Sequence, residues 1–540
     1  MFPFLSWISP RLPALLVLLT LLSTSCARRN YFQPDARVGP TATAPLPAGA
    51  DSVRATAGRH YNHHSAVHKL LYGRHYRPVW AAEVKAPVLN LSTAAPGGLK
   101  AGKMGGGFQS ISMTLENPTG REYALRALDK APNKTLPIWL RKTFLLNVVR
   151  DATSAANPYG ALTVPPLAQA TGVPHSHPRL VYVRPDANDL GEGSERFRGK
   201  LALLEEKYDG PADRTGPWLS AETFRESEEM LKKLYASHAA FIEQPAFLRA
   251  RLLDVWLGDW DRHEGQWQWA EFAQKNGRTR FQAIPKDRDQ VYFRFDDGLI
   301  PWLVSRFVAP RFQTFKPTYT NVHGLVSQGH FLDQRSLSLL RRADFHRMAT
   351  ELQRRLPDTL LERAARLLPS SVYALEGKRL VATLQARREA LPQAADAFYL
   401  DLFRQAVVGG TSQPERFVVR RYADSTVVRI EGGLQVSGQG QNARVAFPVF
   451  YQRTFLRQET KHLTLEALGG DDELDVRTIN TKRPMPLAIH GGPGTDELTL
   501  SGSTRHLRYY DEAGSKSPIK ARPTPKKHKP YARFDKDKSP

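Results

Sequence analysis

Strand-type and helix-type periodicities alternate along the chain in blocks. "GGFQSISMTL" and "REYALRAL" each alternate apolar and polar positions and flank a polar turn at 116–120, which predicts a pair of strands. "RLVYVRPD" and "KLALLEEKYDG" predict two more strands, and "TVPPLAQAT" at 163–171 predicts a short helix. From 220 to 257 apolar residues recur at spacings of three and four, the period of a helix. The stretch 267–283 has the size of a β-hairpin, and 287–295 alternates again. From 336 to about 408 the pattern is helical, with breaks near Pro357 and Pro369. Short β-type runs then follow, "RFVVRRY", "STVVRIEG", "KHLTLEAL", "MPLAIHG" and "DELTLSG", split by Gly, Asn and Asp, with a boundary expected at 409–414. Strands, then helices, then strands predict an α+β domain over 64–410 and an all-β domain, sandwich or solenoid-like, over 411–512.

The ends of the chain differ in texture. Residues 13–22 form an apolar run preceded by Arg11, a length that suits an export signal and is too short for a membrane span. Small residues 23–25 precede Cys26, the only cysteine. This resembles a bacterial lipobox, which implies cleavage over 1–26 and acylation of Cys26, so that the membrane becomes a partner. The leucine of the box stands one position early. One cysteine excludes an internal disulfide. Residues 27–63 read as a flexible tether and 513–540 as a disordered tail, with nine Lys or Arg against two Asp from 515 onward. The formal charge of +23 suits an anionic partner such as a nucleotide or an envelope component. No nucleic-acid motif is present, and nucleic acid is not expected.

The densest chemistry lies in "GDWDRHEGQWQW", 258–269. Asp261, Arg262, His263 and Gln266 form D-R-H-x-x-Q, and Asp287 and Asp289 follow in "IPKDRDQVYF". A hairpin between them would return the second acidic pair to the first. Two carboxylates and an amide in one place suit phosphoryl transfer, where one carboxylate orients a hydroxyl nucleophile and the others hold a metal ion on phosphates. The alternative is structural: the tryptophans build core, and Arg262 pairs with Asp259 or Asp261 to cap a helix.

D-R-H-x-x-N with an acidic residue after a hairpin resembles the core of atypical kinases, among them HipA-like, phosphatidylinositol and Golgi secretory-pathway kinases. "QAIPKDRDQVYF" is similar to the spore-coat CotH kinases. The resemblance implies a two-lobed kinase-like fold with ATP and Mg²⁺ as ligands. It makes Asp261 the catalytic-loop aspartate and His263 the loop's histidine, a candidate for proton transfer whose structural reading is a hydrogen bond that braces the loop. Gln266 stands where the family has a metal-binding Asn, with an arm longer by one methylene. Asp287 becomes the metal aspartate, with Asp289 as rival or helper. Upstream, Gly105, Gly106 and Gly107 would form a phosphate-covering loop, Arg126 stands at the position of the nucleotide-binding lysine with Lys130 near it, and "LALLEEKYDG" would run past the adenine ring. No helix glutamate pairs with that cation. An active kinase and an inactive kinase-like scaffold both remain open. "LGDWDRHEGQWQW", "IPKDRDQVYF", "YQRTF", "ALGGDDEL" and "IHGGPGTDEL" also resemble, in this order, large outer-membrane-associated proteins of Bacteroidetes-type bacteria, which implies an envelope location.

"GGPGTDELT" at 491–499 fits the nonapeptide of RTX β-rolls, and "GGDDEL" at 469–474 is a partial copy. Either these are plain Gly-Asp turns, or Asp472 and Asp496 hold Ca²⁺. His60, His63 and His64, and His175 with His177, lack further ligands at metal spacing and read as surface histidines. No nucleophile elbow is present, so a serine hydrolase is not proposed.

Overall fold

The computed structural model describes residues 27–523 except 29, 40, 41, 43, 106–110, 433–434, 438–443, 447 and 512–515. Cys26 with its signal, Gly106 and Gly107, and the tail from 524 lie outside the described residues. The protein is a mixed α+β structure with several sheets.

The first large sheet has five antiparallel strands, in spatial order Lys100–Gly105, Ser112–Glu116, Glu122–Ala127, Leu201–Glu206 and Arg179–Tyr182. Alternation drives it: Met113 and Leu115 point inward from one strand and pack with Leu125, Phe197 and Leu204 in a core of their own. The turn at 116–120 closes because Asn117 Oδ1 accepts from the amides of Thr119 and Arg121, at 3.0 and 2.9 Å. The short helix predicted at 163–171 spans Val164–Thr171, with proline in its first turn.

The stretch 220–257 is not one helix. It runs as strand Thr223–Glu226, helix Ser227–Ala236, strand Ala240–Ile242 and helix Gln244–Leu257. The two short strands flank the hairpin of Trp267–Ala273 and Thr279–Pro285 in a four-stranded sheet. Three- and four-residue strands hold too few positions to display a period of two, so the neighbouring helices masked them. The second helix is buried nearly all round, with Leu248, Leu252 and Trp256 fully enclosed. The alternation at 287–295 also misled: those residues form turns, with Asp287 and Tyr292 at φ +51° and +61°. Tyr292 packs into the main core, whereas Phe293 and Phe295 stack together in a separate cluster, without a partner strand.

Four helices, Arg342–Arg355, Asp358–Ala365, Ser370–Glu389 and Leu391–Phe403, follow the predicted breaks. The β-type region then starts earlier than expected, because Gln405–Gly409 is already a strand. That strand lies parallel to His462–Glu466, which pairs in turn with Leu487–His490 and Leu507–Tyr510. A second sheet stacks Glu415–Arg421, Glu473–Thr478 and Glu497–Ser501 in parallel, with Ser425–Gly432 and Val449–Leu456 antiparallel at its edge. The chain passes back and forth between the sheets, so Leu474 meets Leu498, and Leu465 meets Ile489 and then Tyr509.

The described parts of the expected tether and tail are more ordered than their composition suggested. Within the expected tether, Ser52–Ala55 pairs with Val84–Pro87, and Ala36, Ala55 and Ala57 are buried. Within the expected tail, Lys516 and Arg522 bridge to Glu497 and Tyr510. A few small or aliphatic residues suffice for this docking, which composition averaged over the segment conceals.

Candidate active site

The charged loop begins where the buried helix ends. Gly258 adopts φ +71° and caps the helix in the left-handed region. A Cβ there would lie 2.8 Å from the Phe315 ring. The chain then turns Arg262 inward, where it is 1% exposed. Its guanidinium lies 3.3 Å from Asp254 and 3.5 Å from Asp259, and 4.7 Å from the centre of the Trp267 ring. Nη1 donates to the carbonyls of Lys286 and Asp287 at 2.8 and 3.1 Å, and Nη2 to that of Gln266 at 3.0 Å. Arg262 therefore ties the charged loop to the segment after the hairpin. The sequence offered Asp259 or Asp261 as its partner; Asp259 and Asp254 take that place.

The hairpin does what its length promised. Trp267 pairs with Pro285, and the Lys286 amide donates to the Gln266 carbonyl at 2.9 Å. Asp287 follows directly, in the left-handed region that a non-glycine residue adopts only under local constraint. Arg288 points the other way and pairs with Asp254 and with Asp259, the latter at 3.2 Å. Asp289 turns back and pairs with Lys130. A second ion pair joins Arg126 to Glu205 on the neighbouring strand, and Arg126 Nε lies 3.9 Å from Asp287. Asp261 belongs to the same charge cluster. Burial raises its carboxyl above the ordinary aspartate range, and Asp289 and Asp287 push it further, against His263 and Lys130. Burial opposes the charge on Lys130, yet Asp289 and Asp287 hold its ammonium above the usual lysine range.

The structure thus brings together Arg126 from the five-stranded sheet, Lys130 from the loop after its strand, which ends at Ala127, and Asp261, Asp287 and Asp289 from the loops after the buried helix and the hairpin. His263 sits at the edge, its ring 3.9 Å from Asp261, and its Nδ1 accepts from the Gly265 amide at 3.1 Å. That bond braces the loop, which is the structural reading of this histidine rather than a proton-transfer role. Gln266 is fixed through its backbone carbonyl, opposite Lys286. Gly105 ends the first strand of the sheet. Sequence reasoning missed Glu205, which occupies Arg126, and Lys286, which reaches Glu226 and Gln268 at 3.2 and 3.1 Å. The alternation of "LALLEEKYDG" places Glu205 on a strand, but no local signal gives its partner.

Two cavities flank Arg126. One, about 40 Å³, is lined by Lys130, Asn157, Asp287 and Asp289; the other, about 20 Å³, by Ala124, Tyr208, Ile284 and Lys286. Sites for drug-sized ligands run to about 300–1,000 Å³. The donor set of Asp287 and Asp289 beside two cations fits a hard divalent ion and phosphates. The cavity volume fits them only once the ion pairs open.

The Gly-Asp turns lie elsewhere, at one end of the parallel strands. Asp496 Oδ1 accepts from the Asp472 amide at 3.0 Å, and Asp472 Oδ1 from the Glu415 amide at 2.8 Å. Each aspartate therefore caps the coil next to it. Burial and neighbouring carboxylates push Asp472 up to about 9 and Asp496 up to about 6. Among the described residues these turns do not gather three side-chain ligands; the one group that does is His64, His68 and Asp151. His64 is therefore no isolated surface histidine. Its helix-face partner at the fourth position, His68, was the readable signal.

No protein-family model matches this chain, and no curated protein matches it in sequence.

Proposed function

We propose that the chain is an exported, lipid-anchored envelope protein. Its α+β part would be a two-lobed, atypical kinase-like domain that binds ATP with Mg²⁺ and transfers a phosphoryl group to a hydroxyl acceptor, and the β-type region would be a solenoid-like second domain. The observation that carries this reading is the gathering of Asp261, Asp287 and Asp289 against Arg126 and Lys130 by the hairpin. Arg126 and Lys130 would exchange their carboxylate partners for nucleotide phosphates. Asp287 and Asp289, with the Gln266 amide, would hold Mg²⁺, whose charge would offset that developing on the phosphates. Asp261, with its raised carboxyl, would accept the proton of the acceptor hydroxyl as its oxygen bonds to the γ-phosphorus and the bond to the β-phosphate oxygen breaks.

One observation favours a second reading, an inactive kinase-like scaffold that binds an anionic partner. Glu205 already occupies Arg126, and the space beside it is small. Thermal unfolding with ATP and Mg²⁺ or Mn²⁺ separates the two. Ligand at a hundred times its dissociation constant adds about 2.7 kcal/mol. The kinase reading expects a metal-dependent rise in Tm that Asp287→Asn abolishes, a substitution that tolerates the left-handed backbone. No rise with any nucleotide leaves the scaffold.

The anchor reading draws on the opposite end. The Ala27 amide donates to the Lys142 carbonyl at 2.9 Å, so the chain emerges beside Ile138 and Trp139, which are 78% and 75% exposed. An exposed tryptophan next to basic residues suits a membrane interface. Among the described residues no helix is long and apolar enough to cross a membrane. Mass spectrometry of the mature N-terminus reads the anchor directly: acyl chains on Cys26 support it, and a free thiol refutes it. Ca²⁺ at Asp472 and Asp496 belongs to the same proposal as a second ligand, with equilibrium dialysis as its test.

A further inference from the structure

His64 and His68 flank the first turn of the helix Ala66–Tyr72, whose N-cap Ser65 accepts from the His68 amide at 3.2 Å. A spacing of four places both imidazoles on one face. Their rings stack at 3.9 Å with planes 9° apart, and both Nε2 atoms meet the same carboxylate. His64 Nε2 lies 3.1 Å from Asp151 Oδ1, and His68 Nε2 lies 3.1 Å from Asp151 Oδ2. The carboxylate itself is held rigidly. Arg77, fully buried, donates to Oδ1 and Oδ2 at 2.6 Å each, and is anchored on the carbonyls of Gly73 and Tyr61 at 2.9 and 3.0 Å. Arg77 uses one lone-pair direction of each oxygen and leaves the other toward a histidine.

Ligand atoms around a tetrahedral ion at 2.0–2.1 Å stand roughly 3.3 Å apart. The three ligand atoms here all lie within 4.8 Å of one another, and each imidazole nitrogen stands 3.1 Å from its own carboxylate oxygen, so a bound ion would sit against both oxygens with the stacked rings splayed toward it. We propose that His64, His68 and Asp151 form a binding site for a divalent transition cation of the Zn²⁺ class. Two imidazole nitrogens and one carboxylate are the donor set such an ion selects over Mg²⁺ or Ca²⁺. Three protein ligands leave a coordination position open to water or an exogenous ligand. The imidazoles are 17% and 25% exposed, so an ion reaches them from solvent, while Asp151 and Arg77 form the closed floor. His60 lies beyond, half-buried, with its Nε2 3.8 Å from Asp129, and Tyr31 carries a hydroxyl with no hydrogen-bond partner. The competing account is that each imidazole simply donates a hydrogen bond to an Asp151 already neutralised by Arg77. The site shares no residue with the kinase-like cleft, so it stands or falls independently of that reading.

The test uses the full-length protein, stripped with chelator, dialysed against ZnCl₂ or CoCl₂, and assayed by elemental analysis and calorimetric titration. One Zn²⁺ per chain is expected, and Co²⁺ should give the visible bands of a low-coordinate site. Loss of an outer-shell partner alone weakens metal sites by 10–100-fold, so His64→Ala and His68→Ala should each cost more than about 100-fold in affinity. Neither variant removes a buried charge, and both should fold, which the unchanged Tm of the metal-free forms checks. His175→Ala/His177→Ala should bind as the parent does. Absence of stoichiometric metal in the parent, or binding unchanged in both His64 and His68 variants, overturns the site and leaves the hydrogen-bonded pair.

Discussion

Arg262→Ala is the substitution that probes the charged loop most directly. The side chain is 1% exposed and makes three hydrogen bonds to carbonyls that have left water, those of Gln266, Lys286 and Asp287. Hydrogen bonds to a charged group contribute about 1.5–3 kcal/mol each, and removing one member of a buried ion pair costs about 3–5 kcal/mol. The two figures overlap, because the same guanidinium serves both. Asp254 keeps Arg251 at 2.9 Å and also Arg288, whereas Asp259 keeps only Arg288, at 3.2 Å. Asp259 is already pushed up to about 7 by burial, so on losing Arg262 it takes up a proton rather than standing as a bare charge. That relief places the expected loss near the middle of the range, about 4 kcal/mol. Guanidinium unfolding followed by tryptophan fluorescence reports it well, since Trp256, Trp260, Trp267 and Trp269 surround the network. Arg262→Lys keeps the charge but not the fork, and should recover less than half of the loss. A loss below about 1 kcal/mol for Arg262→Ala would mean that water reaches these carbonyls and that the loop is not held as argued.

Two further outcomes concern the β-type region. Gly494→Ala should destabilise it by more than about 2 kcal/mol in the same unfolding assay, because φ is +143° and the new Cβ would lie 1.9 Å from the Gly470 carbonyl oxygen; a neutral effect would show that neighbouring coils are not in contact there. In the folded state Asp472 keeps its proton up to about pH 9, whereas the unfolded chain loses it near 3.8. Between those values the folded state binds more protons, so stability falls as pH rises across the window. Asp472→Asn should flatten that fall in Tm, and added Ca²⁺ should also flatten it if a cation sits against these carboxylates; an unchanged slope in the variant assigns the pH dependence elsewhere.

The sequence exposed the site where its logic is local. The hairpin follows from seven-residue strands around a turn, and once it is drawn Asp287 must return to Gln266. The long helices show their period over enough turns to be read, and their breaks fall at prolines. Strands of three or four residues, such as Ala240–Ile242, give no period, and they were absorbed into the helical reading of 220–257. The irregular run after Pro285 failed for a different reason. Its aromatic alternation is real, but a positive φ at Asp287 and again at Tyr292 bends the chain out of any ladder. Histidines were grouped by adjacency, as His60, His63 and His64, when the pair that meets Asp151 is spaced by a helical turn.

What the sequence concealed most completely is how the cleft is closed. Lys130 and Asp289 are 159 residues apart, and nothing near either residue announces the other. The kinase resemblance implies Arg126 as a phosphate ligand, yet its nearest partner is Glu205 on the adjacent strand. These pairs alter what the proposed nucleotide binding would involve. Each cation is already neutralised, so a phosphate gains only the difference between its own attraction and that of the carboxylate it displaces. On the proposed reading a divalent metal between Asp287 and Asp289 would compensate Asp289, while Glu205 would be left to find another counter-ion. Nucleotide without metal would leave Glu205 and Asp289 uncompensated beside the triphosphate, four or more negative charges in a space of about 40 Å³. On the proposed kinase-like reading, nucleotide and metal would therefore enter together, and would displace the Arg126–Glu205 and Lys130–Asp289 pairs as they do.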